Sequence, residues 1–578
     1  MSRTPHADAQ PPRHGLAAEA GAPTHEVFNQ PEPLTGANLF TGDAGLRDAL
    51  AFHAPALGAD ALAGLAALGE EAGSAALQAH ARLANEHPPV LHTHDRVGRR
   101  VDEVEFHPSY GVLMDRVTAH GLHGTPWADG PGGHLRRAAG FIVFTQLEPS
   151  VMCPVSMTYA ATPALQANPA LHADWAARVA ARAYDARPLP VAAKHAVTLG
   201  MGMTEKQGGS DVRANTTRAE RDGEDAWGER FRLVGHKWFF SAPQSDAHLV
   251  LAQAPGGLSC FFVPRWLPDG TRNAVQVQRL KDKLGNHANA SSEVEFRGAF
   301  GWRVGEEGRG VPQILAMGAL TRMDCALGTA GLMRQALCLA LHHTAQRQAF
   351  GKPVASHPLM RNVLADLALD SEAATALALR VARSVDRTVH GQDPTGHEAL
   401  MRRLLTPVAK YWVCKRGSHF AQEAMECLGG NGYVEEGGHG VMARIYREMP
   451  LNSIWEGAGN IMALDLLRSL QGPQGGPAAE ALAAELAPAR GAHPAFDRLA
   501  AALPARLDGA TPECEARMLA RDVALAVQAA LLHQHAPDFV FTAFCDARLA
   551  RPESLAAYGS LPAAAPFDAL IQRAHPTA

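Results

Sequence analysis

The chain has 578 residues, of which 47% are hydrophobic and 19% charged, and its formal net charge is -5. This composition excludes a fibrous or disordered protein, and at about 150 residues per domain the length predicts roughly four domains. The negative net charge argues against a surface that as a whole attracts nucleic acid.

The eight cysteines form no CxxC pair, and the 28 histidines form no HExxH motif or carboxylate-flanked cluster. Scattered, reduced thiols are typical of a cytosolic protein, so we expect neither a disulfide framework nor a metal site. No apolar run reaches the roughly 18 residues of a membrane span, and the Pro-rich N-terminus lacks a signal pattern. The sequence therefore predicts a cytoplasmic protein without membrane contact.

The first three predicted parts of the chain differ in periodicity. Residues 1–36 are rich in Pro, His, Ala and Gly and predict a flexible tail. Residues 37–198 predict a helical domain, because apolar residues recur every three or four positions in segments such as 61–85 and 160–184. Residues 199–311 contain five short β-branched or aromatic runs and predict a small antiparallel sheet or barrel. These runs are 231–241, 247–254, 258–264, 274–280 and 291–296.

Long helical patterns return after the β domain. Segments 312–347, 357–390, 397–428 and 459–470 predict a four-helix bundle within residues 312–472. After a Gly- and Pro-rich linker, residues 473–578 are Ala- and Leu-rich. They predict either a further helical unit or an extension packed on the bundle.

Residues 452–462, NSIWEGAGNIM, place the carboxylate of Glu456 between Trp455 and Gly457. A neighbouring indole partly desolvates a carboxylate and raises its pKa, which suits a general base. The glycines at 457 and 459 would let the backbone approach a flat ligand. Taken alone, the run also fits a solvated turn with a favourable charge at a helix N-terminus.

Four further strings have a possible role in ligand binding. Residues 201–212, MGMTEKQGGSDV, offer hydroxyl groups around a Gly-Gly turn, and residues 238–241, WFFS, end a strand with aromatic rings and a hydroxyl. Residues 347–351, RQAFG, and 427–433, CLGGNGY, each close a long helix. Taken singly, residues 201–212 also fit an ordinary turn, and residues 238–241 also fit core packing. Residues 347–351 and 427–433 also fit helix ends that are marked by glycine.

The order of these motifs resembles the acyl-CoA dehydrogenase superfamily over residues 150–470. GMGMTEKQGGSDV, RLKDKLGNHANASSEVEF, YREMPLNSIWEGAGNIM and the segment FNQPEPLTGANLF at 28–40 look like the AidB branch, flavoproteins of the adaptive response to DNA alkylation. The resemblance implies a mainly α fold with a central β domain, composed of an N-terminal helical domain, a small antiparallel β-barrel, a C-terminal four-helix bundle and an extra helical region. It also implies bound FAD and a homotetramer built as a dimer of dimers.

The resemblance further implies roles for individual residues. Glu456 would be the catalytic base that takes the α-proton of an acyl-CoA thioester, while FAD accepts a hydride from the neighbouring carbon. The segments containing Arg347 and residues 429–432 would reach the FAD of a neighbouring subunit. The residues that would contact FAD are Met203, Thr204, Gly209, Ser210, Trp238, Phe239, Phe240, Ser241, Arg347, Phe350, Gly429, Gly430, Asn431, Ile454, Trp455, Gly457, Gly459 and Asn460.

The chain departs from the family pattern at three places. Trp455 replaces the usual Tyr and would narrow the acyl pocket, and His287 stands where relatives often have Arg. Residues 471–578 contain eight Arg, no Lys and eleven Asp or Glu, so binding of double-stranded DNA there requires the arginines to cluster. Three functions remain open: a weak acyl-CoA dehydrogenase, a DNA-binding protective protein on a flavin scaffold, and flavin-dependent inactivation of alkylating agents or damaged bases.

Overall fold

The computed structural model describes residues 24–436, 441–507 and 511–576. Its N-terminal part contains the helices α1 (Ala44–His53), α2 (Ala59–Gly73), α3 (Ala75–Glu86), α4 (Pro108–Ala119), α5 (Gly133–Leu147), α6 (Met152–Leu165) and α7 (Pro169–Val179). Between α3 and α4, the strands β1 (Val90–His94) and β2 (Arg100–Glu105) form an antiparallel hairpin. The sequence did not predict this hairpin, since its exposed, polar strands lack an apolar face.

Two predicted helices are interrupted by capping residues. Segment 61–85 forms α2 and α3, because the Ser74 hydroxyl accepts the backbone N–H of Leu77 and starts a new helix. Segment 160–184 is divided between α6 and α7 by Asn168, which caps α7 in the same way. Of the predicted tail, residues 1–23 lie outside the described residues, whereas Gly36 donates its N–H to Gly73 O at 2.7 Å and lies against α2.

The β domain is a closed barrel with two added strands. Its strands are β3 (Leu199–Gly202), β4 (Arg218–Asp225), β5 (Gly228–Ser241), β6 (Ala247–Ala254), β7 (Gly257–Pro264), β8 (Val275–Leu280) and β9 (Ser291–Val304). Strands β6, β4, β5, β9 and β7 pair in a ring that closes from β7 back to β6, while β3 pairs with β6 and β8 with β9. Most pairs are antiparallel, as predicted, but β3 and β4 run parallel to β6.

The differences in the β domain have local causes. Strand β3 is a four-residue Leu-Gly-Met-Gly run and β4 is mostly charged, so neither shows an alternating pattern. Strand β9 continues to Val304 past Gly298, whose φ of +80° marks an irregularity in the pairing with β5. Gly298, which in the sequence resembles the end of a strand, thus forms a bulge within β9.

The C-terminal half is helical. The bundle contains α8 (Gly310–Gln346), α9 (Pro358–Val389), α10 (His397–Glu426), α11 (Gly430–Tyr433), α12 (Val441–Asn452) and α13 (Gly459–Ser469). A short hairpin of β10 (Gln348–Ala349) and β11 (Lys352–Pro353) follows α8. The remaining helices are α14 (Gly475–Leu486), α15 (Pro494–Ala502), α16 (Pro504–Leu507), α17 (Ala516–His535), α18 (Asp538–Phe544) and α19 (Phe567–Ala574). Helix α12 was not predicted.

The C-terminal helices are an extension of the bundle. Helix α17 packs against α9, α10 and α13, and α19 packs against α9. One continuous apolar core runs from Leu46 in α1 to Leu570 in α19, whereas the barrel interior forms a second core. Among the described residues, no helix is both long and apolar enough to cross a membrane.

Candidate active site

Glu456 lies in the turn between α12 and α13, with its backbone in the left-handed region at φ +60°. A residue with a side chain adopts this conformation at a cost, so surrounding contacts must hold it there. Thr321 of α8 donates its hydroxyl to Glu456 Oε2 at 2.7 Å, and Arg322 Nε donates to Glu456 O at 2.9 Å. Helix α8 therefore fixes both the carboxylate and the backbone of this residue.

Helix α10 holds the same turn from the other side. Lys410 Nζ donates to Asn452 O at 3.1 Å and to Gly457 O at 2.7 Å. The Trp455 indole N–H donates to Asn452 Oδ1 at 2.9 Å, which folds the ring back onto the turn. Helices α8 and α10 thus position Glu456 together.

The surroundings of Glu456 suit a base. Burial raises the pKa of Glu456 above its ordinary value, although the Thr321 hydroxyl and the cations Arg322 and Lys410 act in the opposite direction. A carboxylate with a raised pKa is a stronger base toward a C–H group. The Glu456 backbone N–H makes no hydrogen bond to any residue that the structure describes, so it can donate to a ligand carbonyl.

Cys153 of α6 connects Glu456 to the barrel. Its thiol lies beside the Ser241 hydroxyl and the Asn289 amide, and the Glu456 charge acts on its pKa. Burial raises the pKa of Cys153 to about 12, so the thiol remains neutral near pH 7. Cys153 therefore lies near both the end of β5 and Glu456.

A buried ion pair fixes the loop of residues 203–210 that follows β3. Glu205 Oε1 accepts a hydrogen bond from Lys237 Nζ at 2.8 Å, and the Thr216 and Thr217 amides donate to the same carboxylate. Burial alone would raise the pKa of Glu205, but Lys237 and these hydrogen bonds hold it well below its ordinary value. The loop is thereby anchored by a residue that the sequence did not single out as part of the site.

The outer part of this loop offers free polar groups. Trp238 N donates to Thr204 O at 2.8 Å, which joins the loop to the end of β5. A Cβ at Gly209 would lie 2.5 Å from Thr204 Oγ1, so the tight approach requires glycine. The hydroxyls of Thr204 and Ser210 have no hydrogen-bond partner in the described part of the chain.

The four residues at the end of β5 differ in exposure. Trp238 is half-buried, with Lys281 Nζ 3.7 Å from the centroid of its ring, and the Phe239 side chain is 52% exposed. Phe240 is buried in the barrel core, where its ring stacks on His248 at 4.0 Å. Of these residues, Phe240 can therefore meet a ligand only through its backbone.

Five of the predicted FAD contacts lie at the far end of the bundle from Glu456. Arg347 follows α8, and Phe350 is 97% exposed at the tip of the β10–β11 hairpin. Gly429 is exposed between α10 and α11, and Gly430 and Asn431 are exposed at the start of α11. Thr321 and Arg347 are 26 residues apart on one helix axis, which corresponds to about 40 Å at 1.5 Å per residue. A single chain therefore does not bring the two predicted halves of the FAD site together.

Comparison with known proteins identifies the family. The model of the adaptive response protein AidB N-terminal domain matches residues 29–186. The acyl-CoA dehydrogenase middle domain matches residues 200–299, and its C-terminal domain matches residues 308–471. The chain is 52% identical over 452 residues to the putative acyl-CoA dehydrogenase AidB of Escherichia coli K12, covering 77% of this chain and 80% of that protein. The chain belongs to the acyl-CoA dehydrogenase family.

More distant relatives support the same assignment. Acyl-CoA dehydrogenase family member 11 of Caenorhabditis elegans is 32% identical over 407 residues, covering 68% of this chain and 64% of that protein. The solved structure of C. elegans ACDH-11 in complex with C11-CoA has a TM-score of 0.80 at 26% identity and covers 92% of this chain and 95% of its own. The Bd2924 apo-form has a TM-score of 0.79 at 30% identity, with coverage of 88% and 100%. The predicted fold class and family are thus confirmed.

As an acyl-CoA dehydrogenase family member, the chain is an FAD-dependent oxidoreductase that acts on CH–CH groups. The site residues fit the cofactor: the loop supplies free hydroxyls at Thr204 and Ser210, and β5 presents the partly exposed rings of Trp238 and Phe239. These groups match the polar arm and the flat ring of a flavin. No group of His, Cys, Asp or Glu side chains suited to a metal occurs in the described parts of the chain.

Sequence reasoning missed the residues that hold Glu456. Thr321, Arg322 and Lys410 lie within predicted helices, but each is distant in sequence from residue 456 and belongs to no recognisable string. Lys410 gave the one local signal, because a lysine that is buried in the middle of a helix requires hydrogen-bond acceptors from another segment. His287, by contrast, was noted, and its Nε2 lies 2.8 Å from Lys283 O within its own loop.

Proposed function

We propose that the chain dehydrogenates a small acyl thioester at its α and β carbons, with Glu456 as the base. The observation that carries this proposal is the fixed position of the buried Glu456 carboxylate, which accepts a hydrogen bond from Thr321 and whose charge acts on Cys153 beside the end of β5. The Glu456 carboxylate would take the α-proton, and its own backbone N–H would bind the thioester oxygen, which makes that proton more acidic. Bound FAD supplies the hydride acceptor.

We further propose that ordinary long acyl-CoAs are poor substrates. Trp455 directly precedes the base, and its hydrogen bond to Asn452 restrains the indole. The restrained ring is larger than the tyrosine of typical relatives and would narrow the entrance to the acyl pocket. Dehydrogenation is therefore expected to be weak with most thioesters and best with short ones.

The test is an anaerobic titration of the FAD-loaded protein with short, branched and long acyl-CoAs. We expect short thioesters to bleach the flavin slowly and Trp455→Tyr to extend the range toward longer chains. If no thioester bleaches the flavin in either protein, the proposed dehydrogenation is wrong.

A homotetramer is the proposed assembly. The exposed Phe350, the 77% exposed Tyr433 and the separation of about 40 Å along α8 all favour a second chain that completes the FAD site. Sedimentation of the FAD-loaded protein tests this, since a monomer that retains FAD would contradict it.

The proposed cellular role is the adaptive response to DNA alkylation in the cytoplasm. It is supported by the match of residues 29–186 to the AidB N-terminal domain and by the similarity to the E. coli protein. Sensitivity of a deletion strain to a methylating agent, complemented by the wild type or by Glu456→Gln, tests whether the role exists and whether it needs the base. A deletion without increased sensitivity would contradict the proposal.

The charges of residues 473–578 argue against binding of double-stranded DNA by this region. Five of its eight arginines are held by other side chains within the fold. Arg506 and Arg521 pair with Asp522, Arg517 donates to Asn460, Arg548 pairs with Asp366 and Asp370, and Arg573 pairs with Asp48 and Glu372. Phosphate binding requires free cations on one face, and these arginines do not provide them.

A further inference from the structure

Residues 29–36, called the strap below, cross the end of α8 beside the hairpin that carries Phe350. The hairpin has two residues in each strand, and its turn residues Phe350 and Gly351 have φ values of +52° and +80°. Two short strands bury little surface and are marginally stable alone. A hairpin that presents an almost fully exposed Phe350 therefore needs support from elsewhere.

Asn29 supplies that support. Its Nδ2 donates to Gln348 O at 2.9 Å, and its Oδ1 accepts from Gln348 N at 2.7 Å. The side-chain amide thus satisfies both backbone groups of Gln348, as a neighbouring strand would. Asn29 has a φ of +55°, which asparagine adopts more readily than most residues.

The same residue directs Arg347. Asn29 O accepts a hydrogen bond from Arg347 Nη1 at 2.5 Å. In the described part of the chain the other guanidinium N–H groups of Arg347 have no partner, so they can donate to a phosphate. Asn29 therefore contacts the first two residues of the string 347–351 that was predicted to reach FAD.

The strap is itself anchored. Glu32 N donates to Gln346 Oε1 at 3.0 Å, and Gln78 of α3 donates to the carbonyl of the buried Leu34 at 3.2 Å. Pro31 and Pro33 restrict the intervening backbone to extended conformations, which reduces the entropy lost on docking. Asn29 is thus held at a fixed distance from the N-terminal helices.

We propose that Asn29 is a positioning residue that sets Arg347 and Phe350 in the arrangement that binds the FAD of a neighbouring subunit. The inference rests on the proposed role of that hairpin in FAD binding. Loss of the Asn29 side chain would free the backbone of Gln348, and the hairpin would then sample other positions. FAD retention would fall, whereas the Glu456 site, about 40 Å away along α8, would keep its geometry.

The test compares FAD release from the full-length holoprotein after dilution. We expect Asn29→Ala to release FAD roughly tenfold faster than the wild type, since two hydrogen bonds are lost. Asn29→Asp should release it faster still, because a carboxylate oxygen would then face Gln348 O. Gln30→Ala is the matched control, since the Gln30 side chain makes no hydrogen bond within the described residues, and it should behave as the wild type.

Two further measurements separate the possible failures. Arg347→Ala and Phe350→Ala must also speed FAD release; if neither does, the proposed role of the hairpin is wrong. If both do but Asn29→Ala matches Gln30→Ala, the positioning role of Asn29 is overturned. The midpoint of thermal unfolding with saturating FAD should be nearly equal in Asn29→Ala and the wild type, and a large fall would show a merely structural role.

Discussion

The behaviour of Glu456 depends on residues that are distant in sequence. The string NSIWEGAGNIM is sufficient to predict a carboxylate near a flavin, because the glycines and the indole stand directly beside it. The hydrogen bond from Thr321 joins residues 135 positions apart, and nothing local to either residue indicates it. At the residue scale, the sequence thus predicts the Glu456 carboxylate as the base but does not predict the residues that set its pKa.

Thr321→Val tests this tuning. The Thr321 hydroxyl stabilises the charged form of Glu456, so its loss should raise the pKa of that carboxyl further above the ordinary value. The base must be deprotonated to act, and the rising limb of the pH–rate profile for flavin bleaching should therefore move to higher pH. Thr344→Val is a control, because Thr344 lies on the same helix and its hydroxyl donates to backbone carbonyls of that helix. An unchanged limb in Thr321→Val would contradict the assigned contact.

Among the elements, α12 has a role that its sequence did not reveal. Glu448 of α12 accepts hydrogen bonds from Asn286 N at 2.5 Å and from Asn286 Nδ2 at 2.8 Å. This links α12 to the loop before β9, which also carries Asn289 beside Cys153. The long helices α8, α9 and α10 were predictable from the spacing of apolar residues alone. The twelve residues of α12, by contrast, follow a glycine-rich segment and look like part of the motif that ends in residues 452–462.

Glu448 should make stability depend on pH. Burial raises the pKa of Glu448 to about 7, above its value in the unfolded chain, so the folded protein binds the proton more tightly. This contribution is fully present below about pH 4.3 and is lost as pH rises toward 7. Glutamine cannot titrate, so Glu448→Gln should lose less stability than the wild type between pH 5 and pH 8. In urea unfolding, we expect the two losses in the free energy of unfolding to differ by about 1–3 kcal/mol. Equal slopes would show that Glu448 does not titrate in this range.

In the whole molecule, the C-terminal helices are joined to the bundle by buried charges. Arg548 pairs with Asp366 and with Asp370, whose carboxylate also accepts from Tyr558 at 2.7 Å. Composition correctly indicated a net acidic region, but a count of arginines does not tell which are exposed. Periodicity predicts that these regions are helical, but it does not predict their single continuous core, because that core depends on which helix faces meet.

Arg548→Ala should therefore destabilise the entire chain. It would leave the carboxylates of Asp366 and Asp370 buried without this partner, at a cost of about 3–5 kcal/mol in the free energy of unfolding. Arg551→Ala is the matched control, because Arg551 is exposed and makes no ion pair among the described residues. Urea unfolding in which both variants behave alike would contradict the docking of α18 and its neighbours on α9.

The central claim is that Glu456 is the base of an FAD-dependent dehydrogenation. Its most direct test is the rate of anaerobic flavin bleaching by the best short acyl-CoA, measured for the wild type and for Glu456→Gln at equal FAD content. Because an amide cannot accept the α-proton, the account predicts a rate at least roughly a thousandfold lower in Glu456→Gln. Bleaching at an undiminished rate in Glu456→Gln would show that another group removes the proton.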